Sequence, residues 1–286
     1  MAEAYSSLSI TVHSGKRSYF CDMFRKRFYY IIKLQYLGFR YHGWQKQPEK
    51  PTVERMVQRT LKYILDRSNF KILAAGRTDS KVSVNETYIE LFLDEKPLDL
   101  TDFLPVLNEN LPPDIRALEI TETDADFNII QHPKIKEYLY LFSFGEKNHP
   151  FAAPYMVNIL EDLDIELMKE AAKLMEGNHD FKNFTYKPKE QTITEMTIDC
   201  CEIAENDIYT ANFFPEKSYS LRVKGMGFKR HQIRLMMGAL FDLGAGKFTL
   251  DEIKAMLLPE NEIKLTHIAA ASGLILNETF LLNRSI

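Results

Sequence analysis

Residues 28–37 read FYYIIKLQYL. Aromatic and β-branched side chains crowd this run. Such residues suit the pleated, half-buried surface of a sheet, so a strand is expected here. A polar, turn-like stretch, YLGFRYHGWQKQPEKP, follows and ends at Pro51 and Thr52, which open a helix. Val53, Met56, Val57, Leu61, Ile64 and Leu65 form its apolar stripe, and the helix is expected to run to about Ser68. Residues 70–75 then read as a short strand stopping at Gly76, residues 88–93 as a second strand, 100–110 as a helix halted before Pro112 and Pro113, and 115–121 as a third strand.

Downstream the pattern repeats loosely. Residues 138–144 read as a strand. Asp164 caps a helix carrying Ile165, Met168, Ala172 and Met175 that ends at Gly177. Residues 192–204 and 208–214 read as strands around the turn Glu205-Asn206-Asp207, and 220–224 as another. Residues 229–243 form a helix with Ile233, Met236, Met237, Leu240 and Phe241 on one side, and 274–276 a closing strand. Two mixed halves with hairpins and few βαβ alternations imply an α+β fold with an antiparallel sheet. The expected organisation is an N-terminal extension over 1–26, a half over 27–125 and a half over 126–286, with the boundary inside 122–134.

The chain has 286 residues and is 45% hydrophobic, enough for a sizeable core. It contains no run of about 18 apolar residues and no basic-then-apolar leader, so neither a membrane span nor a secretory signal is expected. Cys21, Cys200 and Cys201 have neither disulfide-framework nor zinc-knuckle spacing, and a reducing cytoplasm is the expected setting. The net charge is −4, but its distribution is uneven. Basic residues dominate 16–46 and 217–234, and acids dominate 90–126. That sorting fits one basic face on an acidic molecule, or simply solvated faces.

Asp79 sits on a short loop after a strand, a glycine and Arg77. A carboxylate beside a guanidinium suits a nucleophile or general base; an Asx-turn or a surface ion pair would look the same. Lys229, Arg230, His231 and Arg234 could form a basic edge at a helix start after the loop KGMGF, suited to phosphate, or an ordinary solvated face. Tyr138 and Tyr140 share a strand face, either as a stacking platform or as core. His42, His132, His149, His179, His231 and His267 show no metal-ligand spacing and read as structural or superficial. No Gly-x-Gly-x-x-Gly or P-loop pattern occurs, so no nucleotide cofactor is indicated.

The order of these features resembles the TruA family of tRNA pseudouridine synthases. Four stretches carry the likeness: YLGFRYHGWQKQP before Thr52-Val53 and a helix; AAGRTD at 74–79; KEYLY at 136–140; and GFKRHQIR at 227–234 followed by Met237-Gly238. The last is similar to the family's Phe-x-x-x-Met-(Val or Ile)-Arg-x-x-x-Gly helix. The resemblance covers about residues 28–280. It implies two RRM-like (ferredoxin-like) halves forming one continuous antiparallel sheet flanked by helices, with a cleft between the halves. It implies a homodimer that holds tRNA and isomerises uridine to pseudouridine in the anticodon arm, without metal or organic cofactor. By resemblance, Asp79 acts at the sugar, Arg234 pairs with it and Tyr138 stacks under a flipped uracil. Arg77 contacts the backbone or fills the vacated stack, while Arg40, Lys46, Lys229 and Arg230 track phosphates. Competing expectations are the same chemistry on another RNA, such as ribosomal RNA, or an inactive RNA-binding homologue.

The departures are those of a divergent paralogue. Ser80-Lys81-Val82 stands where the family has a small residue or Lys, then Gly and Val. If that glycine position needs positive φ, Lys81 costs about 1 kcal/mol there. Glu137 stands where a second basic residue is frequent, and Gln232 replaces a methionine.

Overall fold

The computed structural model describes residues 26–66 and 69–282. The expected extension therefore lies outside the described residues except for Lys26, as do Cys21 and Ser68.

In chain order the elements are β1 (Arg27–Tyr36), α1 (Val53–Ile64), β2 (Phe70–Ala74), β3 (Ser83–Asp94), α2 (Leu100–Asn110), β4 (Ile115–Thr123), β5 (Lys134–Phe144), β6 (Val157–Ile159), α3 (Ile165–Leu174), β7 (Gly177–Asp180), β8 (Glu195–Ile198), β9 (Cys200–Glu205), β10 (Tyr219–Gly225), α4 (Gln232–Gly244), α5 (Leu250–Met256) and β11 (Leu274–Leu281). Nine strands form one mixed, mostly antiparallel sheet. Its order is β4-β1-β3-β11-β5-β10-β9, with β2 also on β3 and β6 also on β5. β7 and β8 form a separate hairpin.

Side-chain alternation builds two unequal faces. Tyr30, Ile32 and Leu34 of β1 share a core with Val53, Val57 and Leu61 of α1 and Phe103 and Leu107 of α2. Tyr140 and Phe142 of β5 join the same core with Met168 and Ala172 of α3 and Met236 and Leu240 of α4. Fully burying each of the Val, Ile, Leu, Phe and Met side chains among these stabilises by about 1.5–3 kcal/mol. The other face is covered in patches, around Ile31 and Tyr88 and around Leu141, Met156 and Ile275. No described helix is long and apolar enough to cross a membrane.

The middle of the sheet positions the site. β11 pairs parallel with β3 and antiparallel with β5, so Leu276 stands opposite both Val84 and Tyr138. The strand leaving the Asp79 loop and the strand carrying Tyr138 are thus two ladder spacings apart, about 9–10 Å.

Several expectations needed correction. Residues 208–214 are not a strand. The Asn206 amide donates to the Tyr209 carbonyl at 2.7 Å and accepts from its N–H at 3.2 Å, closing a turn. The run 192–204 divides into β8 and β9, because the Asp199 N–H donates to the Lys224 carbonyl and shifts the chain to β10. The helix expected from residue 229 begins at Gln232, since His231 is left-handed with φ +57°. The helix expected to reach Ser68 stops at Ile64. The closing strand runs on to Leu281. α5 was not expected, although its capping box of Thr249 and Glu252 is a readable signal.

Candidate active site

The Asp79 loop is held mainly through its backbone. The Thr78 carbonyl accepts from Trp44 N–H at 3.2 Å, and Lys81 N–H donates to the Tyr41 carbonyl at 3.0 Å. The Thr78 hydroxyl pairs with the buried Tyr36 hydroxyl at 2.8 Å. Ser80 Oγ donates to the Tyr41 carbonyl at 3.2 Å. The segment after β1 is therefore the bed of the loop. Gly43, at φ +84°, lets the two chains touch: a Cβ there would lie 2.6 Å from the Thr78 carbonyl oxygen. Lys81 does adopt positive φ, +68°. Its ammonium lies over the Phe39 ring, 5.6 Å from the centroid.

The opposite wall comes from the start of α4. Arg234 Nε donates to the Ala269 carbonyl at 2.7 Å, and Ala269 N–H donates back to the Arg234 carbonyl at 3.0 Å. So fixed, Arg234 directs Nη1 to Asp79 Oδ2 at 3.7 Å. His231 Nε2 reaches the same oxygen at 3.4 Å. Gln232 is buried, and its Oε1 accepts from Lys229 N–H at 2.8 Å, shaping the turn before the helix.

Tyr138 lies buried on β5, edge-on to Phe228 with centroids 5.4 Å apart. Burial, and then the Asp79 carboxylate, push its phenol up, so it is a neutral hydroxyl at physiological pH. Burial likewise raises Tyr36. Lys136, two residues before Tyr138, is pulled down to about 8 by burial and by Lys134. A Cβ on Gly76 would meet its Nζ at 2.1 Å, so the glycine of the loop makes room for this amine.

Arg77, Asp79, Tyr138, Lys229, Arg230 and Arg234 line one cleft of about 740 Å³. Lys229 and Arg230 do so from the turn before α4, not from the helix. Arg40 and Lys46 do not line it. Arg40 is engaged by Asp114 and by the Tyr41 hydroxyl. Lys46 is exposed, with its backbone N–H donating to Glu54. Gln45 and Lys50, which sequence reasoning passed over, are also on the cleft wall, as are His42, which read as structural or superficial, and His231, expected at most in a basic edge. Nothing in the order of residues signals that His231 meets Asp79. Among the described residues, no cluster of three or more His, Cys, Asp or Glu could hold a metal ion.

An acid, a fixed arginine and a neutral phenol meet in an open cleft with a cationic rim, an arrangement chemically able to take an anionic ligand. A family model described as tRNA pseudouridine synthase matches residues 171–279. The chain is 32% identical over 258 residues to tRNA pseudouridine synthase A 2 of Desulfotalea psychrophila, covering 86% of this chain and 96% of that one. It is 32% identical over 262 residues to tRNA pseudouridine synthase A of Onion yellows phytoplasma, covering 89% and 99%. With the enzyme of Shouchella clausii it shares 30% over 251 residues, covering 86% and 90%. The chain belongs to this family of tRNA pseudouridine synthases, which are isomerases.

Proposed function

We propose that the protein converts uridine to pseudouridine in the anticodon arm of tRNA, with Asp79 as the reacting carboxylate. The observation that carries this reading is the meeting of Asp79 and Arg234 at 3.7 Å in the cleft that Tyr138 also lines. The reaction breaks N1–C1′, turns the base and forms C5–C1′; the C5 proton leaves and N1 gains one. No net redox change occurs. The nucleotide must first leave its stack. Asp79 then acts at the sugar, as nucleophile at C1′ or base at C2′, and both roles use the same free carboxylate oxygen. Tyr138 offers a ring face and a neutral hydroxyl to the uracil. Arg77, exposed on the cleft wall, contacts the backbone or fills the vacated stack. Lys229 and Arg230 meet phosphates, with Lys46 and Arg40 further out, which makes binding salt-sensitive.

On this reading the halves 27–125 and 126–286 are each RRM-like. The order β4-β1-β3-β2 in the first half supports that. The working unit is a homodimer on one tRNA, and the compartment is the cytoplasm. The free thiols of Cys200 and Cys201 are compatible with a reducing setting.

Mapping of tRNA and ribosomal RNA transcripts treated with the protein, by carbodiimide derivatisation of pseudouridine and primer extension, tests the substrate. Pseudouridine in the anticodon arm is expected. Product only in ribosomal RNA would overturn the substrate, and no product in either would overturn the activity.

A further inference from the structure

The Asp79 oxygen that faces Arg234 has a second neighbour. His231 Nε2 lies 3.4 Å from Oδ2, and the imidazole is only 16% exposed. The contact depends on an unusual backbone. His231 precedes α4 at φ +57° and ψ 10° and makes no side-chain cap bond to the helix. Left-handed geometry disfavours residues with a Cβ, and it concentrates where function over-determines the backbone. The ring packs against Tyr186 with centroids 4.7 Å apart. Tyr186 is itself braced: its N–H donates to the Arg230 carbonyl at 3.0 Å, and the Arg230 guanidinium lies over its ring at 5.0 Å.

The surroundings select one form of the imidazole. Nδ1 is buried without a hydrogen-bond partner. Nε2 faces a carboxylate, where only an N–H is favourable. A neutral ring has one N–H, so it belongs on Nε2, leaving a lone pair on Nδ1. Protonation would add a buried N–H with no acceptor. The charges facing the ring are Asp79 from the loop, Arg234 from α4 and Arg230 from the turn before it; the Tyr186 ring faces it from the segment after β7. Burial lowers the imidazole, Asp79 opposes this, and Arg234 and Arg230 add to it.

We propose that neutral His231 is a positioning residue that donates from Nε2 to Asp79 Oδ2, so that Oδ2 is held and Oδ1 is the oxygen presented to the sugar. The 3.4 Å separation is longer than a well-formed hydrogen bond, and catalytic contacts of this kind tighten when substrate enters. The proposal rests on the reading of Asp79 given above.

Single-turnover rates with anticodon-arm tRNA across pH test it in wild type, His231→Gln, His231→Leu and Asp79→Asn. Gln and Leu share the strain of the left-handed position, so their difference reports the donor. His231→Leu is expected to lose about 10–100-fold in rate, with tRNA affinity within about threefold. His231→Gln, which keeps an N–H donor without a titrating ring, should recover most of the rate. A His231→Leu rate within twofold of wild type overturns the proposal, as does equal impairment of Leu and Gln. An active Asp79→Asn overturns the reading beneath it, and the proposal with it. An inactive Asp79→Asn beside a fully active His231→Leu overturns the proposal alone.

Discussion

Arg234 and Asp79 lie far apart in the sequence and meet at 3.7 Å. The guanidinium serves two partners at once, the Ala269 carbonyl through Nε and Asp79 through Nη1. A lysine ammonium is a point charge and cannot span both. Arg234→Lys should therefore lower the single-turnover rate about 100-fold while leaving tRNA affinity within a few-fold. Rapid-quench kinetics and filter binding measure the two quantities. A Lys variant with wild-type rate would show that charge alone suffices.

Gly43 carries the next prediction. Its φ of +84° and the 2.6 Å approach of a built Cβ to the Thr78 carbonyl leave no room for a side chain. Gly43→Ala should destabilise by about 1–3 kcal/mol. Because Thr78 precedes Asp79, the rate should fall as well. Thermal unfolding and tritium release read these effects. An unchanged Tm would mean that the bed of the loop yields without cost.

Lys81 gives the opposite sign. It holds φ +68°, a conformation that glycine adopts without strain. Lys81→Gly is expected to stabilise by a few tenths to about 1 kcal/mol, less whatever the contact with Phe39 contributes. Denaturant unfolding measures it. Clear destabilisation would show that the Phe39 contact outweighs the strain.

Lys136 makes stability depend on pH. Its folded value of about 8 lies below the ordinary 10.5. Below about pH 8 both states are protonated, and the folded state carries the full cost of burying the charge. Between about 8 and 10.5 the folded state releases the proton first, and the cost disappears as pH rises. Lys136→Met should thus be more stable than wild type by on the order of 3 kcal/mol at neutral pH, with the gap closing by about pH 10.5. Paired urea melts at pH 7 and 10 give the comparison. A gap independent of pH would contradict the cause assigned.

Much of this arrangement is legible in the sequence because local signals and core pattern agree. The helix opens at Thr52 as expected, Asp164 caps the helix it was expected to cap, and α2 spans 100–110 as its pattern and the prolines imply. The positive φ at Lys81 follows from its place on a glycine position. Errors arose where side chains override periodicity. The alternation of 208–214 looks like a strand, yet Asn206 captures both backbone groups of Tyr209, and Tyr209 and Phe214 cover the second face of the sheet instead. The helix of α4 was expected from residue 229, but the left-handed His231 delays its start to Gln232. That same residue read as structural or superficial, or as part of a basic edge, because its approach to Asp79 exists only after β3, β11 and β5 have assembled.

Uridine isomerisation by Asp79 is tested most directly by tritium release from tRNA labelled at uridine C5, compared between wild type and Asp79→Asn. Wild type is expected to release tritium and the variant, which keeps the shape of the side chain but not its charge, to lose at least about 1,000-fold. Release by Asp79→Asn at a rate near that of wild type would contradict it.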